Sequence, residues 1–360
     1  MEAIASTPAA RRQNKELTPP FNLVITGSTK GIGKALAEEF LRAGDSVVVS
    51  SRAGDRVSST VRELDALARS LQLGSSVKGI ACNMARPGDV AALANFARDK
   101  LGSVDLWINN AGTNAYKYGL LAEASDADLV DIVQTNVLGV MLGCKEAIRV
   151  MRKQPAGGHI FNMDGAGADG GATPRFAAYG ASKRGLAQLA KSLQAELKMG
   201  GVNNVGIHNL SPGMVTTELL LSGSDTPAAR FFINCLAETP ETVAEYLVPR
   251  VRAVPRDSRT LGGGISQGSY IRYLTKGKAY SQIAMRLLTG ARKGRRRKST
   301  QARAHRPLRG CILEPDQRCE ERMQRRQGAC SGVRGDADRG AGAAAAPPRR
   351  AEPHPLARRA

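Results

Sequence analysis

Tyr179 and Lys183 stand four positions apart in the stretch Tyr-Gly-Ala-Ser-Lys at 179–183. On a helix that spacing puts both side chains on one face, so a phenol and an ammonium can enter one site. A phenol titrates near about 10, and an adjacent ammonium favours the phenolate and lowers that value. The pair therefore has the chemistry of a general acid for a carbonyl oxygen, with Tyr179 giving the proton and Lys183 tuning it. A surface tyrosine beside a solvated lysine is the plainer reading when such a pair stands alone. Here it is coupled to a second set.

That set is the run Thr-Gly-Ser-Thr-Lys-Gly-Ile-Gly at 26–33, which follows the apolar stretch 21–25 and opens into a helix-patterned segment at 34–41. Strand, glycine turn and helix come in the order a dinucleotide pyrophosphate needs. Gly27 permits the tight turn, Gly31 lets the backbone approach the phosphates, and Gly33 lets helix and strand pack closely. Ser28, Lys30 and Ile32 belong to the same turn, and the free N–H groups of the helix start face the anion. An ordinary turn is the alternative, and the flanks on both sides speak against it. After the next strand the chain reads Ser50-Ser51-Arg52, with no acid until Asp55. An acid there would suit the ribose hydroxyls of NADH, whereas a 2′-phosphate calls for a cation. NADPH is the expected cofactor, read by Arg52 with Lys30 nearby.

The elements that must position these residues alternate. Strand patterns fall at 21–27, 46–51, 77–82, 104–109, 158–163 and 205–210, and helical ones at 32–43, 56–72, 88–101, 126–152 and 176–199. This predicts an α/β fold, a doubly wound parallel sheet of Rossmann type, with ligands at the carboxyl ends of the strands.

Over residues 20–260 the sequence resembles the short-chain dehydrogenase/reductases. The matching pieces are the 26–33 turn, Asn109-Asn110-Ala111-Gly112, Asn136 in Thr135-Asn136-Val137, the Tyr179/Lys183 pair and Ser211-Pro212-Gly213. The resemblance implies a seven-stranded sheet, a nicotinamide cofactor and hydride transfer at a carbonyl carbon. It makes Tyr179 the acid/base, and Lys183 the group that lowers its pKa and holds the nicotinamide ribose. It puts Asn136 on a water-linked proton path, Asn110 near the adenosine ribose, and Pro212, Val215 and Thr217 against the carboxamide. Two departures stand out. The serine that usually holds the substrate carbonyl is missing from Phe161-Asn162-Met163-Asp164-Gly165-Ala166-Gly167. Asp164 is the nearest polar residue, but an ionised carboxylate only accepts hydrogen bonds. It would have to be protonated, act through water or hold another group. Asn83 stands where an Asp commonly holds the adenine amino group, and its oxygen can still accept that bond.

Within the family, the stretches 157–167, 173–180, 191–197, 208–217, 231–234 and 244–249 are similar to the chlorophyll(ide) b reductases, which share Asp-Gly-Ala-Gly in place of the serine. That likeness implies reduction of a 7-formyl group to a hydroxymethyl group, and a chloroplast location on the stromal face of thylakoids. It also implies light-harvesting complexes or a related reductase subunit as partners, and an oligomer. Residues 218–240, with Leu219-Leu220-Leu221 and Phe231-Phe232, are expected as an apolar lid over a large substrate.

Charge divides the chain. The net +20 includes +12 in residues 291–360, where 19 Lys+Arg face 7 Asp+Glu. That segment is rich in Gly, Ala, Pro and Arg and lacks the aliphatics a core requires, so disorder is expected there. Its 292–298 cluster could bind nucleic acid or an anionic membrane. No aromatic-interleaved module accompanies it, so a solvated tail, or gene read-through, is preferred and nucleic acid is not expected. Residues 1–19 are expected to be flexible, and 261–290 to form an extension with Tyr280, Ile283, Ala284, Leu287 and Leu288 on one helical face. That face suits a membrane interface or packing on its own domain. Cys82, Cys144 and Cys235 sit in apolar surroundings, and Cys311, Cys319 and Cys330 lack zinc spacing, so no metal is expected. The opening 20 residues hold no apolar signal core and are short for a transit peptide, and no apolar run is long enough to span a bilayer. Rival readings are a reductase of a smaller ketone or acyl-carrier substrate, and a non-catalytic binding protein. Tyr179, Lys183 and Asn136 together argue against the last.

Overall fold

The structure, a computed structural model, describes residues 16–222, 226–258, 265 and 268–290. The expectation for 291–360 lies outside the described residues, as does most of 1–19. Six parallel strands form where the apolar runs are: β1 (Asn22–Thr26), β2 (Ser46–Ser51), β3 (Val77–Ala81), β4 (Leu106–Asn109), β5 (Gly158–Met163) and β6 (Val205–Ser211). β1, β4 and β5 are buried on both faces, which is why they read as continuous rather than alternating apolar runs. A seventh strand, β7 (Tyr270–Arg272), pairs with the end of β6. The order is β3-β2-β1-β4-β5-β6-β7 and every pairing is parallel. The sheet thus takes in residues beyond 260 that were expected to form an extension.

Alternate residues of β1 feed two cores. Leu23 and Ile25 face α1 (Gly31–Arg42) and α9 (Pro240–Asp257), packing with Leu36, Phe40, Leu247 and Val251. Val24 faces α3 (Pro87–Leu101), α5 (Gly139–Met151) and α6 (Ala177–Met199), where Trp107, Leu93, Cys144 and Leu186 complete the second core. α2 (Gly54–Leu71) covers β2 and β3. α4 (Asp126–Val133) runs through a π-turn at Gln134–Leu138 into α5, one helix of 26 residues. By length and composition that helix could cross a membrane, contrary to the expectation from unbroken apolar runs. Polar Asp131, Gln134, Thr135 and Asn136 break the run, and the helix packs against α3 and α6. Beyond β6 come α7 (Glu218–Leu221) and α8 (Pro227–Leu236), and α10 (Lys276–Thr289) follows β7 and packs against α8.

Sheet order reverses between β1 and β4, which opens a crevice at the carboxyl ends of the strands. A cavity of about 1320 Å³ occupies it.

Candidate active site

The glycine turn forms the floor of one end. Gly27 has φ +64, and a side chain on Gly33 would meet Asn110 Nδ2 at 2.4 Å and the Gly27 carbonyl oxygen at 2.6 Å. Only glycine lets the start of α1 come this close to β4. Asn110 fastens the turn by donating to the Thr26 and Gly27 carbonyls at 2.9 and 3.0 Å. It borders the cavity, and its Oδ1 is buried without a hydrogen bond. Ser28 corrects an expectation. Its hydroxyl donates to the Ile25 carbonyl at 2.6 Å and accepts from Ser50 N at 3.0 Å, fully buried and away from the cavity. It braces the turn against β2, and Thr29, which the sequence reading missed, lines the cavity in its place.

Thr217 closes over the turn: a Cβ on Gly31 would lie 3.2 Å from Thr217 Cγ2. Pro212 and Val215 border the same space, and the segment is pinned by Thr216 N donating to Glu238 O at 2.8 Å. Arg52 lines the cavity where β2 ends and pairs with Asp131 at 3.3 Å. Arg56, in the first turn of α2, lines it too; a second cation just after Arg52 was the unused signal. Lys30 pairs with Glu218 at 2.5 Å, which holds its ammonium above the usual lysine range. Asn83 lines the cavity, with its Oδ1 accepting from Ala85 N at 3.1 Å. Of the expected lid, Leu219 and Leu220 reach the cavity, whereas Phe231 and Phe232 do not.

At the other end Tyr179 and Lys183 project from α6 into the cavity. Lys183 is buried and donates to the Met163 carbonyl at 3.0 Å, its Nζ 5.6 Å from the Tyr179 ring centre. Burial lowers it to about 8 although the Asp164 carboxyl opposes this. The expected lowering of Tyr179 is reversed: burial, with Asp164 nearby, holds its phenol above the ordinary range. Loss of water, the larger cause, disfavours phenolate, so the Tyr179 phenol keeps its proton. Asn136, in the π-turn, is fully buried behind the cavity wall. Its Oδ1 accepts from Thr113 N at 2.8 Å, and its Nδ2 donates to Thr113 O at 2.8 Å and Ser182 Oγ at 3.0 Å. It joins α6 to the loop after β4.

Asp164 faces the same end, and Tyr270 of β7 donates its hydroxyl to Asp164 Oδ2. Arg272 lies 3.8 Å over the Tyr270 ring. Nothing local in the sequence links these β7 residues to the site, since Tyr270 and Asp164 lie 106 positions apart. Cys82 and Cys144 are buried thiols pushed up to about 12, hence inert.

This arrangement can seat an anionic dinucleotide over the glycine turn and deliver a proton beside its far end. A family model described as short chain dehydrogenase matches residues 22–227. The chain belongs to the short-chain dehydrogenase family. As a member it is an NAD(P)H-dependent oxidoreductase, and the cradle that Gly33 and Gly31 keep free of side chains fits the nicotinamide cofactor this entails. It is 55% identical over 280 residues to chlorophyll(ide) b reductase NOL, chloroplastic, of Oryza sativa subsp. japonica, covering 78% of each chain. The enzyme of the same name from Arabidopsis thaliana is 54% identical over 283 residues, 79% of this chain and 78% of that one. Among solved structures, 3-ketoacyl-(acyl-carrier-protein) reductase from Brucella melitensis complexed with NADH shares the fold at 22% identity. Its TM-score is 0.57, with 71% of this chain and 96% of that one covered.

Proposed function

We propose that this short-chain dehydrogenase reduces the 7-formyl group of chlorophyll(ide) b to a hydroxymethyl group with NADPH. The 55% identity to the rice reductase over 280 residues carries the reading. The cavity, which must seat the cofactor as well, supports an apolar substrate through Leu219 and Leu220 on its lining. When bound, a nicotinamide cofactor would supply the hydride for the formyl carbon. Tyr179 gives its hydroxyl proton to the formyl oxygen, Lys183 would hold the cofactor's ribose, and Asn136 keeps α6 in register with the loop that carries Thr113. Arg52 and Arg56 would hold the 2′-phosphate, and the 212–217 segment would meet the carboxamide. The test is incubation of purified protein with NADPH and chlorophyll b, followed by chromatography for the 7-hydroxymethyl product. No product from protein that binds the cofactor would overturn the substrate. Tyr179→Phe should lose roughly 10²–10⁴ in rate and keep its cofactor affinity.

The site of action we propose is the stromal face of the thylakoid in chloroplasts. Light-harvesting complexes or a related reductase subunit would be its partners. The relatives named chloroplastic support the organelle. α10 supports the surface: Tyr280, Leu287 and Leu288 are exposed, among Lys276, Lys278 and Arg286 and no carboxylate. Exposed Val130, Val133 and Met141 on the 26-residue helix support an oligomer. Loss of co-sedimentation with anionic vesicles in Leu287→Ser/Leu288→Ser tests the surface, and the elution volume of the intact protein tests the oligomer.

A further inference from the structure

The substrate's carbonyl oxygen needs a hydrogen-bond donor besides Tyr179, and the wall beside Tyr179 offers none of the usual kind. Gly165 cannot supply one, because a Cβ there would lie 2.3 Å from the Tyr179 hydroxyl oxygen. Next to it, Asp164 lines the cavity, is 6% exposed, and has one oxygen, Oδ1, buried without a hydrogen bond. Its other oxygen is taken by Tyr270. The backbone fixes the carboxyl from both sides, since Asp164 N donates to Leu210 O at 2.8 Å and Asn209 pairs with Tyr270 in the β6–β7 ladder.

Resting on the reading that this site reduces a carbonyl, we propose that Asp164 and Tyr270 together replace the absent serine. Tyr270 occupies Oδ2 and so positions the carboxyl, and Oδ1, as the neutral acid, donates to the substrate's carbonyl oxygen. Asp164 gives up no proton in the reaction; the proton consumed comes from Tyr179 and the hydride from the nicotinamide. Tyr270 is a positioning residue, acting through Asp164.

The surroundings bear on the neutral form from every side. Burial is the largest influence and raises the Asp164 carboxyl above its ordinary range. Tyr270 and Ser211 oppose this through their hydroxyls, and Lys183 of α6 and Arg272 of β7 oppose it through their charges. Burial wins. Tyr270 itself is pushed up to about 12 by burial and by Asp164, so it remains the donor.

The experiment compares Asp164→Asn, Asp164→Leu and Tyr270→Phe by pH–rate profile, with circular dichroism and NADPH affinity confirming each fold. An acid that must be protonated gives activity that falls as pH rises through its titration. Asp164→Asn keeps a donor and the acceptor for Tyr270, so it should retain kcat to within about tenfold, the worth of one hydrogen bond, and lose that alkaline limb. Asp164→Leu should be inactive. Tyr270→Phe should lower kcat with NADPH affinity unchanged and move the limb to higher pH, because a donor favouring the carboxylate has gone. A merely structural Tyr270 would lower the rate without moving the limb, which would overturn its part. Asp164→Asn as inactive as Asp164→Leu would show that the carboxylate is what matters and would overturn the whole. Independently of turnover, the wild type should show a protonated-carboxyl stretch in the infrared that Asp164→Asn lacks; its absence also overturns the proposal. Rates are read on chlorophyll b and on a simple aromatic aldehyde. Turnover of the aldehyde alone would fault the pigment reading, while the Asp164 comparison on that aldehyde still decides the pair.

Discussion

Gly165 and Tyr179 are packed so that the smallest side chain on the first would strike the second: the Cβ position of Gly165 lies 2.3 Å from the Tyr179 hydroxyl oxygen and 3.0 Å from its Cζ. Gly165→Ala should therefore displace the hydroxyl and leave the fold intact. A shift of about 1 Å at a reacting group can cost roughly a hundredfold, and that is the expected fall in kcat. Steady-state rates beside a thermal melt check it; a wild-type rate would show that the hydroxyl need not sit where it does.

Cofactor choice should follow the two arginines at the end of β2. Arg52→Asp should lower NADPH affinity about tenfold to a hundredfold, the worth of one charge-assisted hydrogen bond, while an acid there welcomes the ribose hydroxyls of NADH. Arg56 remains beside it, so Arg52→Asp/Arg56→Ala should lose more. The ratio of kcat/KM for the two cofactors is the measurement. An unchanged ratio in the double variant would mean that neither arginine reads the phosphate.

Lys183 predicts a pH dependence of stability. Burial holds it at about 8 against the ordinary 10.5, so over that interval the unfolded chain keeps a proton that the folded one has released. Stability of the cofactor-free protein therefore gains a rising component from about pH 8 upward, fully present only above the unfolded value. Lys183→Met should lack it. Denaturant unfolding at about pH 7.5 and about pH 9.5 compares the two, and parallel changes in both proteins would refute the assignment.

Arg252 of α9 and Asp45 anchor the helix layer to the sheet. Asp45 is fully buried, accepts from Arg252 at 2.9 and 3.2 Å, and accepts from Phe21 N at 2.8 Å just before β1. Removing one partner of a buried pair costs about 3–5 kcal/mol, and the partly exposed arginine puts Arg252→Ala near the lower end. Urea unfolding should show that loss, with catalysis by the remaining folded protein unaffected.

Most of the strands and the helices between them were legible because parallel strands buried on both faces, such as β1, β4 and β5, leave unmistakable apolar runs. β7 was not, being three residues with both ends exposed, held by pairing to β6 rather than by its own pattern. Ser28 shows another limit. Its neighbours on both sides, Gly27 and Thr29, line the cavity, but where a turn residue points depends on backbone angles that spacing does not encode. Likewise the i,i+4 rule placed Tyr179 and Lys183 in one site, yet the direction of the Tyr179 shift rests first on its burial and then on Asp164, which the sheet brings in just beyond β5. Local chemistry could be read along the chain; what faces it across the fold could not.

The position of β7 has a consequence for the order in which the protein acquires its parts. Synthesis runs from the N-terminus, and β6 ends at Ser211, some way before Tyr270. A nascent chain can therefore assemble the glycine turn, both arginines and the Tyr179/Lys183 pair while Asp164 still lacks its partner. The nucleotide half of the cleft precedes the substrate half, and the last of the described strands is the one that completes it.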